Sequence, residues 1–231
     1  MNLQKNRYLF LYISLLFIFI SCHKSNSPND LQTGGFKGKV KKVTETRTML
    51  NDPEVRPMKS VMYYNEKGYL TKIEQYNYWI SDDSAIINYT AFYNNNDKER
   101  GYYALDKNSD TVETGEGKRV TDSSYRFLTK LKDHHSSDLL YVFDSNNKLL
   151  KQHNKITYKE QLIADNELTY EYDSTGALIK LLSTKLPGGE MKTVFFTDIL
   201  YDKEQNQLSW YLAEDDTGNK IFHVTRRIDY Y

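Results

Sequence analysis

Two groups of aromatic residues could recognise a carbohydrate. Tyr76, Tyr78 and Trp79 lie close together in one segment, and Trp210 is followed directly by Tyr211 in another. A sugar packs its apolar face on a flat aromatic ring, while its hydroxyl groups need amide or carboxylate partners nearby. An exposed platform built from either group would therefore favour carbohydrate binding.

Burial in a protein core is the alternative role for these rings. Leu208, Trp210 and Leu212 are spaced by two residues, so they share one face of a strand and Trp210 fits a core position. Trp79 instead borders the turn at 80–82, which favours exposure. The first group is thus the better candidate for a surface platform.

Adjacent carboxylates occur at Asp82 and Asp83 and again at Asp215 and Asp216. Such pairs could act in glycoside hydrolysis or bind Ca²⁺. Both pairs lie where the chain needs turns, and neither has the ligand spacing of a calcium loop, so turn formation is favoured. The sequence also lacks a nucleophile elbow, a phosphate-binding glycine loop and a paired-histidine zinc motif. We therefore expect no catalytic residues, and hydrolysis by scattered carboxylates is the least favoured alternative.

The histidines do not suggest a metal site. His134 and His135 are adjacent, and adjacent side chains on a strand point to opposite faces, so both imidazoles would not reach one metal ion. His153 and His223 are expected at the surface, His223 on the polar face of its strand. We expect neither a metal nor a cofactor.

The N-terminus has the pattern of a secretory signal peptide. Lys5 and Arg7 precede an apolar run at 8–20 that only Ser14 interrupts. A helix over this run would be about 20 Å long, whereas the hydrocarbon core of a bilayer is roughly 30 Å thick. We therefore predict a cleaved signal peptide at 1–21, with a retained transmembrane helix as the alternative.

Cys22 is the predicted lipidation site and the only cysteine in the chain. The sequence Phe-Ile-Ser-Cys that ends there resembles the lipobox of bacterial lipoproteins, and an ordinary secreted protein is the alternative. Two or more acyl chains would hold the protein stably on the lipid bilayer. Residues 22–35 are polar and rich in Ser, Asn, Pro and Gly, which predicts a flexible tether. His23, rather than Asp, follows the cysteine, and the resemblance to lipoproteins of Gram-negative cells then implies export to the outer membrane, on either face.

The charge balance excludes nucleic acid as a partner. Loss of residues 1–21 removes Lys5 and Arg7 from 31 basic residues and leaves 29 against 31 acidic ones, a net charge of −2. Nucleic-acid binding depends on concentrated Lys and Arg. One basic run is present, and lysines at alternate positions of a first strand are typical of a protected sheet edge: Lys37, Lys39, Lys41 and Lys42.

A single domain of antiparallel β-hairpins is predicted for residues 36–231. Residues 168–178 alternate apolar and polar side chains and then turn at 173–176, which is a hairpin pattern. Because an isolated hairpin is marginally stable, consecutive hairpins must pair into one meander. We expect about twelve to fourteen strands in a curved sheet or partial barrel with one covered face. The predicted strands are 38–49, 60–64, 70–78, 86–93, 101–105, 139–143, 149–153, 167–172, 177–183, 194–201, 208–212 and 221–231.

Two segments are harder to assign. Residues 106–117 are polar and rich in turn formers, which predicts an exposed loop. Residues 120–131 fit a strand through Tyr125 and Phe127, or a short helix through Tyr125, Leu128 and Leu131. The surrounding strands favour the strand.

The hairpin turns recur at a fixed spacing. An aromatic residue precedes the turn in each unit, and Tyr64 and Tyr93 are 29 residues apart, as are Phe143 and Tyr172, and Tyr172 and Tyr201. Tyr93 and Phe143 are 50 residues apart, and the segment between them holds a degenerate unit. Such periods indicate tandem supersecondary units that cannot bury a face alone.

These units resemble the YD repeats of Rhs-type proteins. The fullest match is Tyr172-Asp173-Ser174-Thr175-Gly176-Ala177-Leu178, while the unit at 201–208 carries an insertion and that at 64–70 has Asn for Asp. The segment 38–43 also resembles the start of small surface lipoproteins of Rhs-like or sugar-binding type. The resemblance implies β-strand repeats that build a shell or sheet, together with carbohydrate binding.

The sequence as a whole predicts a lipid-anchored envelope protein with a non-catalytic binding role. Its partner would be a glycan or another envelope protein. The alternative is a structural or assembly role, in which the sheet docks on an envelope protein by its edge.

Overall fold

Fourteen antiparallel strands follow one another around a closed barrel in the computed structural model. The structure describes residues 29–52, 54–77, 86–95, 99–146, 148–215 and 217–231. Within these residues a short helix, α1 (Asp30–Thr33), precedes the strands. The strands are β1 (Val40–Met49), β2 (Met58–Tyr64), β3 (Leu70–Asn77), β4 (Ile86–Asn95), β5 (Glu99–Leu105), β6 (Thr111–Thr121), β7 (Ser124–Leu131), β8 (His135–Phe143), β9 (Leu149–Tyr158), β10 (Gln161–Tyr172), β11 (Leu178–Lys185), β12 (Met191–Tyr201), β13 (Gln207–Ala213) and β14 (Lys220–Tyr230).

Pairing between the first and last strands closes the barrel. β1 runs antiparallel to β14 from Val40 opposite Tyr230 to Met49 opposite Phe222, and its other side pairs with β2. The predicted all-β meander is confirmed, and the sheet closes completely. Closure leaves β1 without a free edge, so the suggestion that its lysines protect a sheet edge is wrong.

Side chains alternate between a packed interior and an exposed outer wall that carries both charged and apolar side chains. Along β7, Tyr125, Phe127 and Thr129 are buried, whereas the intervening Arg126 and Leu128 are exposed. The same period of two is expected of any strand in a barrel that fills its interior with side chains. One covered and one solvated face were predicted, and here they are the inside and the outside of the barrel.

The repeated turns are held by a side-chain cap. The Asp173 carboxylate oxygen Oδ1 accepts hydrogen bonds from the backbone N–H groups of Thr175 and Ala177, at 2.8 and 2.9 Å. Gly176 completes the turn with a φ of +88°, a conformation that glycine adopts at little cost. The same pair of backbone bonds occurs at four further turns, on Asn65, Asp106, Asp144 and Asp202. The acidic residue of the repeat is therefore a turn cap.

The segment 106–117 is a turn followed by a strand, so the predicted long loop is wrong. β6 carries Gly115 and Gly117 on its inward face, and a Cβ atom at either would lie 2.3 Å from an atom of the Tyr102 or Phe127 ring. These glycines make room for aromatic side chains of the neighbouring strands. At 120–131 the strand alternative is confirmed, because β6 ends at Thr121 and β7 begins at Ser124.

The packed domain begins before residue 36. Leu31 and Phe36 are buried in the core, and the buried carboxylate of Asp30 pairs with the Arg100 guanidinium inside the barrel. The Asn29 side chain also donates a hydrogen bond to the carbonyl of Lys67. The last residues of the predicted tether, from 29 onwards, are thus part of the domain.

The two ends of the barrel differ in what they carry. We define the proximal end by the turns between β2 and β3, β6 and β7, β8 and β9, β10 and β11, and β12 and β13; residues 29–39 and the C-terminal Tyr231 lie there. The distal end carries the turns after β1, β5, β7, β9, β11 and β13. Within the described ranges, no α-helix has the length and hydrophobicity needed to cross a membrane.

Candidate functional site

A cluster of tyrosines around one carboxylate lies on the outer wall of β2 and β3. Tyr63 and Tyr76 both donate hydroxyl hydrogen bonds to Oε2 of Glu74, at 3.0 and 3.2 Å. Lys72 binds Oε1 of the same carboxylate at 2.6 Å. The ammonium groups of Lys72 and Lys59 lie 4.3 and 4.8 Å from the ring centres of Tyr63 and Tyr76. We call these five residues the outer tyrosine cluster.

The protonation states of the cluster suit binding better than proton transfer. Partial burial would raise the pKa of Glu74, but hydrogen bonds from Lys72, Tyr63 and Tyr76 outweigh it and lower that pKa. Burial and the bond to Glu74 raise the pKa of Tyr63 to about 12. At neutral pH the carboxylate is ionised and the tyrosine is neutral, so the cluster places a charged carboxylate, bonded to Lys72, Tyr63 and Tyr76, beside two aromatic rings. Those are the groups that a sugar requires.

Of the first predicted aromatic group, only Tyr76 falls within this cluster. Tyr78 and Trp79 lie outside the described residues, as do Asp82 and Asp83. The sequence did not single out Tyr63 or Glu74. Their signal was the period-two alternation, which places Glu74 and Tyr76 on one face of β3. On the partner strand β2, Tyr63 lies opposite Lys72, so its hydroxyl reaches Glu74 diagonally.

The second predicted pair does not form a platform. Trp210 points into the barrel, is 1% exposed and packs its ring 4.5 Å from the Arg226 guanidinium. Tyr211 points outward, stacks on His223 at 4.5 Å and lies under the Lys220 ammonium at 4.1 Å. Adjacent residues of a strand face opposite ways. The prediction that Trp210 is a core residue is therefore correct, and Trp210 is excluded as a ligand contact on the outer surface.

The remaining candidate groups have structural partners. Asp215 accepts a hydrogen bond from the Asn219 N–H at 3.1 Å in the last turn, while Asp216 lies outside the described residues. His135 pairs with Asp133 at 2.9 Å, and His153 pairs with Asp165 at 2.5 Å on the outer wall. Among the residues that the structure describes, no group of three or more His, Cys, Asp or Glu side chains is arranged to hold a metal ion.

The barrel interior contains a partly buried carboxyl group that sequence reasoning missed. Glu113 on β6 faces inward beside Ala104 and accepts a hydrogen bond from the Tyr102 hydroxyl. Burial raises the pKa of Glu113, although the bond from Tyr102 opposes that shift. The sequence contained a signal for this position, because Glu113 is spaced by two residues from Gly115 and Gly117 and so shares their face of the strand.

Glu113→Gln should weaken the pH dependence of stability. A carboxyl group with a raised pKa in the folded state holds its proton more tightly there than in the unfolded chain. Its contribution to stability is complete below the unfolded pKa of about 4.3 and disappears as the pH rises through the folded pKa. One such group can change stability by at most about 1.4 kcal/mol per pH unit. Glutamine keeps the acceptor for Tyr102 and cannot ionise. Urea unfolding at several pH values between about 4 and 8 should therefore show that the free energy of unfolding falls less with rising pH in the variant than in the unmodified protein.

Glu116→Gln on the same strand is the matched control, because Glu116 is exposed on the outer wall. It should show the pH profile of the unmodified protein. A Glu113→Gln profile that also matches the unmodified protein would contradict the burial of an ionisable carboxyl at this position.

Arginines inside the barrel share one carboxylate. Glu45 on β1 accepts a hydrogen bond from Nε of Arg47 and another from Nε of Arg226 on β14, both at 2.8 Å. All three side chains are at most 10% exposed. Burial works against ionisation of Glu45, but the two guanidinium groups lower its pKa overall. The cluster ties together the two strands that close the barrel.

Comparisons with known proteins show a likeness of fold. No family model and no curated protein matches the sequence. A porin-like protein from Bacteroides vulgatus aligns with a TM-score of 0.52 at 10% identity, covering 83% of this chain and 98% of that one. A porin-like protein from Bacteroides uniformis aligns with a TM-score of 0.49 at 10% identity, covering 84% and 99%. At such identities the similarity concerns the barrel fold alone.

Proposed function

We propose that this protein is a lipoprotein of the bacterial envelope whose barrel stands in water at the membrane surface, anchored by lipidated Cys22. The observation that carries the proposal is the charged outer wall. Opposite charges pair across neighbouring strands there, at Lys151 with Glu167, Lys180 with Glu171, and Arg126 with Asp138.

Large apolar side chains such as Leu128, Ile179 and Leu200 are also exposed on the strands, but charged pairs lie among them, and this mixture favours water over lipid. Barrels that span a membrane carry an apolar band about 25 Å tall on the outside, and a Lys or Arg at its centre costs roughly 2–4 kcal/mol. The interior here is filled by buried side chains such as Trp210, Phe127 and Ile73. A membrane-inserted barrel is the second candidate, because the fold resembles that of porin-like proteins. The charged wall favours attachment through the lipid on Cys22.

Cys22→Ser should move the protein from the membrane fraction to the aqueous fraction. Without the thiol no acyl chains can be added, and the charged barrel has little affinity for the hydrocarbon core. Fractionation of cells, with mass spectrometry of the N-terminal peptide, measures both the location and the lipid. Ser25→Ala, three residues downstream, is the control and should stay membrane-bound. Retention of a Cys22→Ser protein that has lost residues 1–21 would instead support an inserted barrel, whereas retention with these residues present would be due to the uncleaved apolar segment.

Within that location we propose a non-catalytic role in binding a glycan at the outer tyrosine cluster. Two rings flank the ionised Glu74 carboxylate, and the aromatic segment around Tyr76 was the first candidate from the sequence. The capped hairpin turns also support a relationship with YD-repeat proteins, for which carbohydrate binding was expected. Docking on an envelope protein is the alternative.

Tyr76→Ala should weaken binding of the preferred polysaccharide about tenfold, which corresponds to roughly 1.4 kcal/mol. The loss is expected because the ring would cover one face of the sugar. Calorimetric titration against a polysaccharide panel identifies the ligand and then compares the variants. Tyr211→Ala, on the outer wall of β13, is the matched control and should bind normally. Equal binding by both variants would exclude the cluster, and no binding to any polysaccharide would favour a protein partner.

A further inference from the structure

The chain between the lipid anchor and the barrel limits how the barrel can be oriented. Asn29 is held at the proximal end, where its side chain binds the Lys67 carbonyl at 2.8 Å, and the N–H of Leu31 binds the Gly68 carbonyl at 3.1 Å. Cys22 lies seven residues before Asn29. Seven fully extended residues span at most about 25 Å. A lipid on Cys22 therefore keeps the proximal end close to the bilayer.

The proximal end also carries the charges that suit a lipid surface. Its exposed lysines lie on the segment that enters β1 and on two turns: Lys37, Lys39, Lys41, Lys67 and Lys203. Each Lys near an anionic membrane surface contributes about 1 kcal/mol of attraction. Exposed acidic side chains also lie in the proximal turns, at Glu66, Asp122 and Glu204, but the lysines outnumber them. In the distal turns that the structure describes the balance is reversed, with more exposed acids than bases: Asp52, Glu54, Asp110, Asp133, Glu160, Glu190 and Glu214 against Arg56, Lys107, Lys132 and Lys159.

Two tyrosines complete the proximal surface. Tyr231 is 50% exposed, its hydroxyl donates to the Tyr64 carbonyl at 2.7 Å, and the Lys41 ammonium lies 5.7 Å from its ring. Tyr201, at the end of β12, is 40% exposed. Tyrosine beside lysine is typical of the boundary between headgroups and water, because the ring is amphipathic and the ammonium binds phosphate.

We infer that the proximal end, with its lysines and tyrosines, rests on the anionic lipid headgroups, and that the distal turns face away from the membrane. This inference rests on the proposed lipidation of Cys22. The short chain between Cys22 and Asn29, the positive charge and the exposed tyrosine rings all favour contact of the proximal end with the bilayer. The distal turns, in which exposed acidic side chains outnumber exposed basic ones, would be attracted less by the same lipids.

Site-specific fluorescence quenching tests the orientation in the full-length lipidated protein. The sulfur of Cys22 is occupied by the lipid, so an introduced cysteine is the only free thiol. Lys203→Cys in a proximal turn and Lys107→Cys in a distal turn are matched, because each follows the Asp that caps its turn. A fluorophore on each is compared in phosphatidylethanolamine and phosphatidylglycerol vesicles with and without nitroxide-labelled headgroups.

The proximal label should be quenched at least twofold more than the distal label. In the Lys203→Cys protein, Lys37→Glu with Lys39→Glu should reduce the quenching, whereas the distal pair Lys132→Glu with Lys159→Glu should not. Equal quenching of both labels in protein that floats with the vesicles would overturn the orientation and leave the anchor intact. Protein that fails to float at low salt would overturn both the anchor and the lipid-binding end. Unchanged quenching after charge reversal at Lys37 and Lys39 would overturn the role of the lysines.

Discussion

Glu45→Ala is expected to lower the free energy of unfolding by about 3–5 kcal/mol, the usual cost of removing one partner from a buried ion pair. The substitution would leave the guanidinium groups of Arg47 and Arg226 inside the barrel without the carboxylate that binds both of them at 2.8 Å. Because Glu45 on β1 lies directly opposite Arg226 on β14, the loss falls on the pair of strands that closes the barrel. Urea denaturation followed by circular dichroism measures it.

The control for this prediction is an ion pair on the outer wall. Glu167 binds the Lys151 ammonium at 3.0 Å in solvent, and Glu167→Ala should cost less than about 1 kcal/mol because exposed pairs contribute little. A second check uses pH. The pKa of Glu45 is lowered, so its contribution is present above the unfolded pKa of about 4.3 and is lost as pH falls through the folded pKa. Glu45→Ala should remove this acid sensitivity. A variant as stable as Glu167→Ala would show that closure does not depend on this carboxylate.

Much of the hairpin meander could be predicted because its determinants are local. A turn such as 173–177 is specified within five residues, by a capping Asp and a glycine at positive φ. The flanking strands are specified by alternation, which also placed Trp210 correctly in the core. Local patterns of this kind need no knowledge of the rest of the chain.

Strand β6 was missed because its inward residues are determined by their neighbours. Gly115 and Gly117 are typical of a loop when the sequence is read alone. In the barrel they lie opposite Tyr102 and Phe127, whose rings occupy the space that larger side chains would need. The volume available at one strand depends on the side chains of the next, and the register between strands supplies that information.

Contacts between distant parts of the chain were also beyond the sequence pattern. Closure depends on β1 and β14, and the hydrogen bond between Glu45 and Arg226 joins residues 181 positions apart. The outer tyrosine cluster likewise needs Tyr63 and Tyr76 to converge on Glu74 from two strands. Polar composition predicted a tether up to residue 35, whereas the burial of Asp30 depends on Arg100, 70 positions away.

Asp30→Ala should lower the free energy of unfolding by about 3–5 kcal/mol, a large effect for a residue in a segment that reads as linker. The Arg100 guanidinium is 3% exposed and would lose its carboxylate partner inside the barrel. Oδ2 of Asp30 also accepts a hydrogen bond from the backbone N–H of Leu70 at 2.5 Å. Both losses would occur where the chain enters the proximal end. Chemical denaturation of the Asp30→Ala protein measures the effect.

Two comparisons make this last prediction specific. Asp138→Ala removes the carboxylate of an exposed pair with Arg126 and should cost less than about 1 kcal/mol. A chain that starts at residue 36 should be destabilised at least as much as Asp30→Ala, whereas a chain that starts at residue 29 should keep full stability. Equal stability of the two truncated chains would show that 29–35 is a passive tether. The predicted difference would instead mean that the folded domain begins at residue 29, through the ion pair of Asp30 and Arg100, and that the proposed lipid anchor on Cys22 would be separated from it by residues 23–28 alone.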